Sequence, residues 1–395
     1  MKALIFGGGK IARGFIAQLL KRSGYEITFV DINRTLMEAL NERGRYYVNV
    51  MGNEKESQWI TGFRCLNSCD IESIAAELLD AEVAFSSVGG KNLESLAETI
   101  ARAFALTEHR WGDKEITLIT CENWKNPARQ LETYILERLK TPELKAELRS
   151  HIGVSEAAIL RSGIEPTKEM LEVDPYTVSV TDYWELPVDK MRMRGTPVAL
   201  RGLRYTDNFE NFLQRKIYTF NTTNATIAYI GMLKGYVHLM DAANDAEICE
   251  IVDAVQEEMN RPIAEALGVT LQEQQEFAQK AQKKYKDRSV IDFLERHCRD
   301  PLRKLGPEDR IVGTARMIER EGGKVRYLAL TLAAALYYQS PNEKDESAKE
   351  LADLRQRQGI KGVLEQICKI RADEPLAQAV LEQADNLRRR GWLHE

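Results

Sequence analysis

The chain has 395 residues, of which 44% are hydrophobic and 29% are charged, and its formal net charge at pH 7 is −5. This length allows two domains with separate cores, and the composition is typical of a globular protein in water. The acidic balance argues against a nucleic-acid backbone as the main partner, and no stretch of about 18 apolar residues predicts a membrane span.

The six cysteines and five histidines are scattered along the sequence. None of them has the close, paired spacing of a zinc site or of a disulfide framework. We therefore expect reduced thiols, no metal site and a cytoplasmic location. The chain opens on an apolar strand pattern, so a signal peptide is not expected.

The opening residues have the pattern of a dinucleotide-binding turn. An apolar run, Lys2–Phe6, leads into the glycine-rich stretch 7–14, and helical spacing follows over residues 15–20. In the fingerprint G-x-G-x-x-G/A the first position allows a tight turn, the second lets the backbone approach a pyrophosphate, and the third lets the helix pack closely on the strand. Those three positions are occupied by Gly7, Gly9 and Ala12.

A carboxylate closes the second predicted strand, residues 27–30. Asp31 follows Gly9 by about 20 residues, where an acid accepts hydrogen bonds from the adenosine ribose. Asp31 favours NAD, because a carboxylate repels a 2′-phosphate, whereas Arg34 leaves NADP open. Lys10 and Ile11 begin the helix, whose free N–H groups attract phosphates, and they are further predicted cofactor contacts.

Strands and helices alternate through the rest of the first half, which indicates a parallel sheet covered on both faces. Residues 46–50 and 58–61 are predicted to form an antiparallel insertion. Ligands bind at the carboxyl ends of parallel strands, so Ser87 and Gly89, at the end of a predicted strand over 83–88, are predicted cofactor contacts. A plain turn explains them equally well. Further predicted helices cover residues 36–43, 71–79, 93–104 and 128–139, and further strands 116–120, 151–154 and 176–180.

The composition changes near residue 205. The remainder has few glycines and long amphipathic runs, which predict helices. We therefore predict an α/β fold with a Rossmann-type dinucleotide-binding domain and an extended mixed sheet over residues 1–205. An all-α substrate and catalytic domain is predicted over residues 206–395.

A polar face on an apolar helix is the main candidate for a catalytic element. Lys216, Asn221 and Asn224 fall on one side of an α-helix, in which successive residues turn by about 100°. Asparagine is a mediocre helix former, and the intervening isoleucines and phenylalanine indicate substantial burial. A solvated helix face also explains three polar side chains, so spacing leaves both interpretations open.

The chain resembles the polyol-specific long-chain dehydrogenases of the mannitol dehydrogenase family, and most closely the branch that acts on mannitol 1-phosphate. The resemblance covers nearly the whole length. It rests on residues 1–16, Cys121-Glu122-Asn123, Asp207-Asn208, Arg215-Lys216, Asn221-Thr222, 228–231, 301–305 and Asp309-Arg310.

The resemblance implies a metal-independent, NAD-dependent oxidoreductase that interconverts a sugar alcohol, such as mannitol 1-phosphate, and its ketose. It implies that Lys216 is the general base, while Asn221 and Asn123 hold the substrate oxygen as it gains negative character. Burial lowers the pKa of a lysine, and amides polarise a carbonyl without adding charge, so the chemistry is consistent. The resemblance slightly favours a monomer.

Two departures from the family pattern affect substrate recognition. Asn224, a predicted substrate contact, stands where the family has histidine, and Leu160-Arg161 stands where the family commonly has Asp-Arg. The alternatives are therefore a hexuronate reductase of the fructuronate or tagaturonate type, a dehydrogenase of unphosphorylated polyols, and an NAD(H)-binding regulator without catalysis.

A basic segment, residues 299–310, is unusual for this acidic chain. Arginine binds phosphate oxygens in bidentate fashion, so Arg303 and Arg310 are predicted to bind a substrate phosphate. Surface and capping charges explain the segment equally well, and Lys304 is a candidate for a structural ion pair.

Overall fold

The computed structural model describes residues 1–196 and 198–393. It divides into two compact units, Met1–Phe209 and the remainder from Glu210. Within the described residues, no helix has the length and apolar character needed to cross a membrane.

The first unit contains twelve strands among its described residues. They are β1 (Lys2–Phe6), β2 (Glu26–Asp31), β3 (Arg45–Met51), β4 (Gln58–Thr61), β5 (Phe63–Asn67), β6 (Val83–Ser86), β7 (Ile116–Thr120), β8 (Ile152–Glu156), β9 (Gly163–Ile164), β10 (Val178–Thr181), β11 (Leu186–Asp189) and β12 (Leu203–Thr206). Its helices are α1 (Ala17–Arg22), α2 (Arg34–Arg43), α3 (Ile71–Asp80), α4 (Leu93–Ala105), α5 (Pro127–Arg138), α6 (Pro142–His151) and α7 (Lys168–Val173).

Six strands form a parallel sheet in the order β5-β2-β1-β6-β7-β8. This order reverses direction between β1 and β6, and dinucleotides bind at that switch point, outside the carboxyl ends of the strands. The Rossmann-type prediction is confirmed. Strand β5 and helix α6 were not anticipated, because their short runs of mixed composition lack a clear period.

The central strand β1 is buried on both faces. Leu4 and Phe6 pack in an apolar cluster with residues of α3, α4 and α5, while Ala3 and Ile5 pack with Phe15 on the other face. A strand covered on both sides requires a continuous apolar run rather than alternation, which is what its sequence provides.

The mixed strand pairing lies in a second sheet, in the order β4-β3-β10-β9. The predicted antiparallel pairing of β3 with β4 is confirmed, and β10 pairs parallel to β3. A third, two-stranded sheet joins β11 and β12 in parallel.

The second unit is helical, as predicted. Its helices are α8 (Phe209–Lys216), which begins one residue before the unit, α9 (Thr222–Leu233), α10 (Leu239–Ala243), α11 (Ala246–Leu267), α12 (Leu271–Lys286), α13 (Leu294–Cys298), α14 (Pro301–Lys304), α15 (Val312–Arg320), α16 (Tyr327–Leu336), α17 (Glu346–Gln366) and α18 (Pro375–Arg389). Helix α16 is apolar around its whole circumference, and residues 328–336 are all buried. Such a helix belongs in the centre of a core, and here it packs against α9 and α18.

A π-helical turn, Ile217–Asn221, joins α8 to α9. A similar turn, Ala12–Ile16, precedes α1 in the first unit. π-Turns are rare and often accompany functional residues. The predicted spacing assumed an uninterrupted α-helix with about 100° per residue from Lys216 to Asn224. That assumption is wrong, because the wider π-turn changes the angular spacing between these two residues.

Candidate active site

The first glycine of the fingerprint is required by two features of its surroundings. Gly7 has φ +108°, a backbone conformation that side chains disfavour, and a Cβ there would lie 2.4 Å from the carbonyl oxygen of Ser87. The Ser87 N–H donates to the Phe6 carbonyl at 2.8 Å. The glycine turn and the end of β6 are therefore in direct backbone contact at the switch point of the sheet.

The second glycine has open space around it. Gly9 is exposed, and a Cβ there would meet no atom within 4 Å. The predicted packing position, Ala12, is fully buried. Gly14 is also closely packed, since a Cβ there would lie 2.6 Å from a methyl carbon of Val180.

Polar contacts fix the start of the helix. Arg13 donates from Nε to the Gly8 carbonyl at 2.7 Å and from Nη1 to the Tyr176 carbonyl at 2.7 Å. Lys10 is paired with Glu165, and Ile11 is partly buried. This role of Arg13 has no sequence signature, because its two acceptors are backbone carbonyls.

Asp31 lies against the glycine turn. One carboxylate oxygen accepts from the Gly8 N–H at 2.6 Å, and the other accepts from the Asn33 N–H at 2.8 Å. The carboxylate at the end of β2 is thus held beside the turn, where an adenosine ribose is expected to bind. Arg34 begins α2 and is exposed.

Glu122 orders the loop that follows β6. Its buried carboxylate accepts from Ser86 Oγ at 3.2 Å, Val88 N–H at 3.0 Å and Gly89 N–H at 2.7 Å. Burial raises the pKa of Glu122, and these hydrogen bonds oppose that rise. Glu122 therefore positions the predicted cofactor contacts Ser87 and Gly89, while its neighbour Asn123 is exposed.

These features fit a dinucleotide. A tight turn at Gly7, open space beside Gly9, and a carboxylate held at the end of β2 correspond to the places of turn, pyrophosphate and ribose in a Rossmann domain. Gly7, Gly9, Lys10, Ile11, Asp31, Ser87 and Gly89 are the residues that would hold it.

Lys216 is buried in the second unit, with 7% of its surface exposed. Burial lowers its pKa to about 7, and repulsion from Arg310 and Lys284 adds to that effect. Asn224 is also 7% exposed, and Asn221 is partly buried. The solvated-face interpretation is therefore excluded for Lys216 and Asn224.

Arg310 is held against the start of α9, just after the π-turn that follows Lys216. Its carbonyl accepts from Thr222 Oγ1 at 2.6 Å, and Thr222 Oγ1 also lies 3.0 Å from Thr314 Oγ1. The guanidinium of Arg310, which is 8% exposed overall, donates from Nε to Asp309 at 2.8 Å. The threonine contacts fix Arg310 against the start of α9.

Arg303 and Arg310 share one carboxylate. Arg303 donates to Asp309 at 3.0 Å and to Asp300 at 2.6 Å, and its side chain is 44% exposed. Arg303 thus fits both predicted interpretations, as a surface charge and as an anion ligand. Arg310 is buried, so the surface-charge interpretation is wrong for it.

Two further lysines have lowered pKa values: Lys304 is buried and Lys284 is partly buried. Lys304 is 6% exposed, and its Nζ donates to the His297 carbonyl at 2.7 Å. Burial lowers the pKa of Lys304 to about 7, with repulsion from Arg310, and burial lowers that of Lys284 to about 8. The suggested ion pair of Lys304 is wrong within the described residues, since its hydrogen-bond acceptor is a backbone carbonyl.

Asn224 contacts a histidine that the sequence did not mark. The amide nitrogen of Asn224 lies 3.0 Å from Nδ1 of His297, and the His297 Nε2 lies 2.9 Å from a carboxylate oxygen of Asp292. No spacing rule connects residues 224, 292 and 297, because the fold brings them together from different elements.

The other departure, Leu160-Arg161, lies inside the first unit. Both residues are buried, and Arg161 lies over the ring of Trp184 at 4.1 Å while its Nε donates to the Thr181 carbonyl at 2.7 Å. Burial lowers the pKa of Arg161 to about 9. These residues contribute to packing within the first unit.

One group with possible metal ligands occurs among the described residues. Glu108, His109 and Glu147 have ligand atoms within 4.8 Å of one another on the surface of the first unit. Exposed acidic groups of this kind are common without an ion. Glu108 and His109 follow α4, and Glu147 lies in α6, so none of the three belongs to the glycine turn after β1.

Known proteins match nearly the whole length of the chain. The family profile for the mannitol dehydrogenase Rossmann domain matches residues 1–202, and the profile for the mannitol dehydrogenase C-terminal domain matches residues 208–388. The chain is 33% identical over 390 residues to mannitol-1-phosphate 5-dehydrogenase of Brevibacillus brevis, with 98% of each chain covered. It is 32% identical to the enzyme of that name from Shouchella clausii, covering 97% of this chain and 100% of the relative.

Two solved structures show the same fold. Mannitol 2-dehydrogenase of Pseudomonas fluorescens, in a ternary complex with NAD and D-mannitol, has a TM-score of 0.77 at 18% identity, over 99% of this chain and 92% of that one. A substrate-free D-sorbitol dehydrogenase has a TM-score of 0.80 at 15% identity, over 99% and 93%. From the profiles, the identities and the coverage together, the chain is a member of the mannitol dehydrogenase family.

Proposed function

We propose that the protein is an NAD-dependent dehydrogenase that interconverts a hexitol phosphate, such as mannitol 1-phosphate, and the corresponding ketose phosphate. The observation that carries the proposal is Lys216, a buried lysine whose pKa is lowered to about 7. A lysine with an ordinary pKa near 10.4 is almost fully protonated at neutral pH and is a poor base. Lys216 is matched to proton transfer in the range where metabolic enzymes work.

In oxidation, the neutral amine of Lys216 removes the proton from the reacting hydroxyl. Asn221 then donates its amide N–H to the oxygen as negative charge develops, and an amide does so without introducing a competing charge. The resemblance to the family implies that Asn123 also donates a hydrogen bond to this oxygen. NAD bound to the first unit would supply the acceptor for the hydride of the carbinol carbon. In reduction the protonated Lys216 returns the proton.

Cofactor binding is assigned to the first unit. The carboxylate of Asp31, held beside the glycine turn by Gly8, supports NAD over NADP because it disfavours a 2′-phosphate. The solved mannitol 2-dehydrogenase of this fold was crystallised with NAD. Both observations support the same choice.

The charge of the second unit supports an anionic substrate. Buried cations are costly unless opposite charge compensates them. Arg310, Lys284 and Arg303 all lower the pKa of Lys216 by repulsion, and the acid that opposes them there is Asp309. A phosphate supplies the missing negative charge and is recognised by arginine in bidentate fashion. The two relatives are named for mannitol 1-phosphate.

A hexuronate is the second candidate, because its carboxylate also provides negative charge for this cationic group. An unphosphorylated polyol does not. The test is a panel of hexitols, hexitol phosphates and hexuronates, assayed for NAD reduction or NADH oxidation. We expect the highest kcat/KM with a hexitol phosphate, and preference for a hexuronate would contradict the phosphate assignment.

The lysine base is tested by Lys216→Met, which keeps the apolar stem and removes the amine. We expect turnover to fall by about a hundredfold or more, with NADH binding unchanged. Lys304→Met is a matched control, since Lys304 is equally buried and its pKa is also near 7. Near-normal turnover of Lys216→Met would disprove the base. Binding of NADH without turnover of any panel member by the parent protein would favour the non-catalytic regulator.

A further inference from the structure

Three side chains form a hydrogen-bonded series next to the proposed base. Asn224 follows the π-turn after Lys216, His297 lies in α13, and Asp292 precedes that helix. His297 joins the other two, with 3.0 Å from its Nδ1 to the Asn224 nitrogen and 2.9 Å from its Nε2 to Asp292. Within residues 1–196 and 198–393, His297 is the hydrogen-bond partner of the Asn224 side chain.

The chemistry of the three groups fixes the direction of each hydrogen bond. A carboxylate only accepts, so the proton of a neutral imidazole must be on Nε2, facing Asp292. Nδ1 then carries a lone pair and must accept a hydrogen bond from the Asn224 amide N–H. The carbonyl oxygen of Asn224 lies 3.3 Å from Nδ1 and receives no hydrogen bond from it in this arrangement.

Asp292 is itself held in place. It is 3% exposed and accepts from Arg296 at 2.8 Å, so one oxygen serves Arg296 and the other serves His297. The charged groups that face His297 are Asp292, Arg296 and Lys304, the last of which donates to the His297 carbonyl. Burial and the two cations lower the pKa of His297, and Asp292 opposes them. The net lowering keeps the imidazole neutral at pH 7.

We propose that His297, oriented by Asp292, is a specificity-determining positioning residue that fixes the Asn224 amide so that its carbonyl oxygen accepts a hydrogen bond from a substrate hydroxyl. Asparagine amides otherwise flip between two orientations that exchange donor and acceptor. With His297 in place, Asn224 presents an acceptor and selects a hydroxyl over a hydrogen or a carbonyl at the carbon it faces. The inference rests on the proposed function, because the ligand is a polyol.

The orientation is tested without any assay of activity. In ¹⁵N NMR of protein with labelled imidazoles, His297, assigned by its loss in His297→Asn, is expected to be neutral with the proton on Nε2 at pH 7.5. Asp292→Asn should weaken that preference. A proton on Nδ1, or a doubly protonated ring, would overturn the proposal even if no substrate were known.

The selectivity is tested with the panel substrate of highest kcat/KM and its monodeoxy analogues. The parent protein should discriminate by about tenfold or more against one analogue, since a hydrogen bond in a buried site contributes about 1.4 kcal/mol or more. His297→Leu should reduce that discrimination to about threefold or less, mainly through KM. His297→Asn, whose amide can place an acceptor near the position of Nδ1, should recover most of it.

His238→Leu is the matched control. His238 lies in the same unit with Nδ1 3.5 Å from Asp241, but it has no contact with Asn224. His238→Leu should discriminate between the substrate and its monodeoxy analogue as strongly as the parent protein does. Unchanged discrimination in His297→Leu would disprove the positioning role. Absence of turnover on the whole panel would instead contradict the proposed function, and the tautomer measurement would still decide the role of His297.

Discussion

The cofactor loop of the first unit and the buried cationic group of the second unit are built in different ways. The loop uses neighbours in sequence, Gly7 to Arg13, together with the ends of adjacent parallel strands. The cationic group collects its members from three parts of the chain: Lys216, Lys284, and the basic segment that holds Lys304 and Arg310. Both begin near a π-helical turn, Ala12–Ile16 in one unit and Ile217–Asn221 in the other.

The difference shows what each kind of site demands. A dinucleotide turn is recognised by backbone geometry, so short-range spacing encodes it. A shifted lysine pKa depends on burial and on charges that the fold assembles, and only the assembled structure supplies them. Substitutions in the loop should therefore change binding or folding, whereas substitutions of Lys216, or of the cations that lower its pKa, should change rates and pH dependence.

The largest effect is expected at the buried arginine. Arg310→Lys keeps the charge but removes the planar fork, and kcat/KM for a hexitol phosphate should fall by about a hundredfold. Arg303→Lys, at the exposed neighbour on the same carboxylate, should lower it by less than about tenfold, since exposed ion pairs contribute little. Equal losses in the two variants would remove the distinction between buried and exposed arginine.

The two glycines of the loop should separate folding from binding. Gly7→Ala should lower the free energy of unfolding by about 1–3 kcal/mol, because of its positive φ and the contact with Ser87. Gly9→Ala should leave thermal unfolding nearly unchanged, since the new methyl group meets no atom, yet weaken NADH binding. Thermal unfolding and NADH fluorescence titration measure both, and strong destabilisation by Gly9→Ala would contradict this division.

The features that could be predicted from the sequence are mostly those that depend on neighbours in the chain. The turn at Gly7, the acid at Asp31 and the parallel sheet were predictable, because each depends on local spacing or period. The burial of Lys216 was predictable from the apolar residues around it. The role of Glu122 was not predictable, because it depends on three donors at the end of β6 and in the loop that follows.

The second unit was less predictable at the level of its side chains. Lys284 lies in a run with Lys283 and Lys286, and nothing in that run indicates that Lys284 is partly buried, with a lowered pKa, while Lys283 is exposed. His297 is 73 residues from Asn224, so only tertiary structure connects them. The π-turn after Lys216 has no sequence signature and made the α-helical angles wrong.

A smaller effect is expected at the ribose carboxylate. Asp31→Asn should raise the dissociation constant of NADH by about tenfold and reduce the preference for NADH over NADPH, because the negative charge that opposes a 2′-phosphate is removed. Fluorescence titration with both cofactors measures the two constants. An unchanged ratio would contradict the assignment of Asp31 as the group that selects NAD.

The smallest effect concerns the charge next to the base. Lys284 lowers the pKa of Lys216 by repulsion, so Lys284→Gln should raise the kinetic pKa for oxidation by less than about one unit while preserving most of the plateau rate. Lys283→Gln, at the exposed neighbour, is the control and should leave the kinetic pKa unchanged. A lowered pKa in Lys284→Gln would reverse the sign of the interaction.

The pH dependence of kcat/KM for oxidation tests the central claim most directly. In the proposed mechanism the neutral amine of Lys216, with its pKa lowered to about 7, is the base. The value of kcat/KM should therefore rise with pH through about 7 and then reach a plateau, while the reduction rate, which needs the protonated amine, should fall over the same range. Lys216→Met should abolish this inflection, and Lys304→Met should retain it. An inflection near 7 that persists unchanged in Lys216→Met would show that another group is the base.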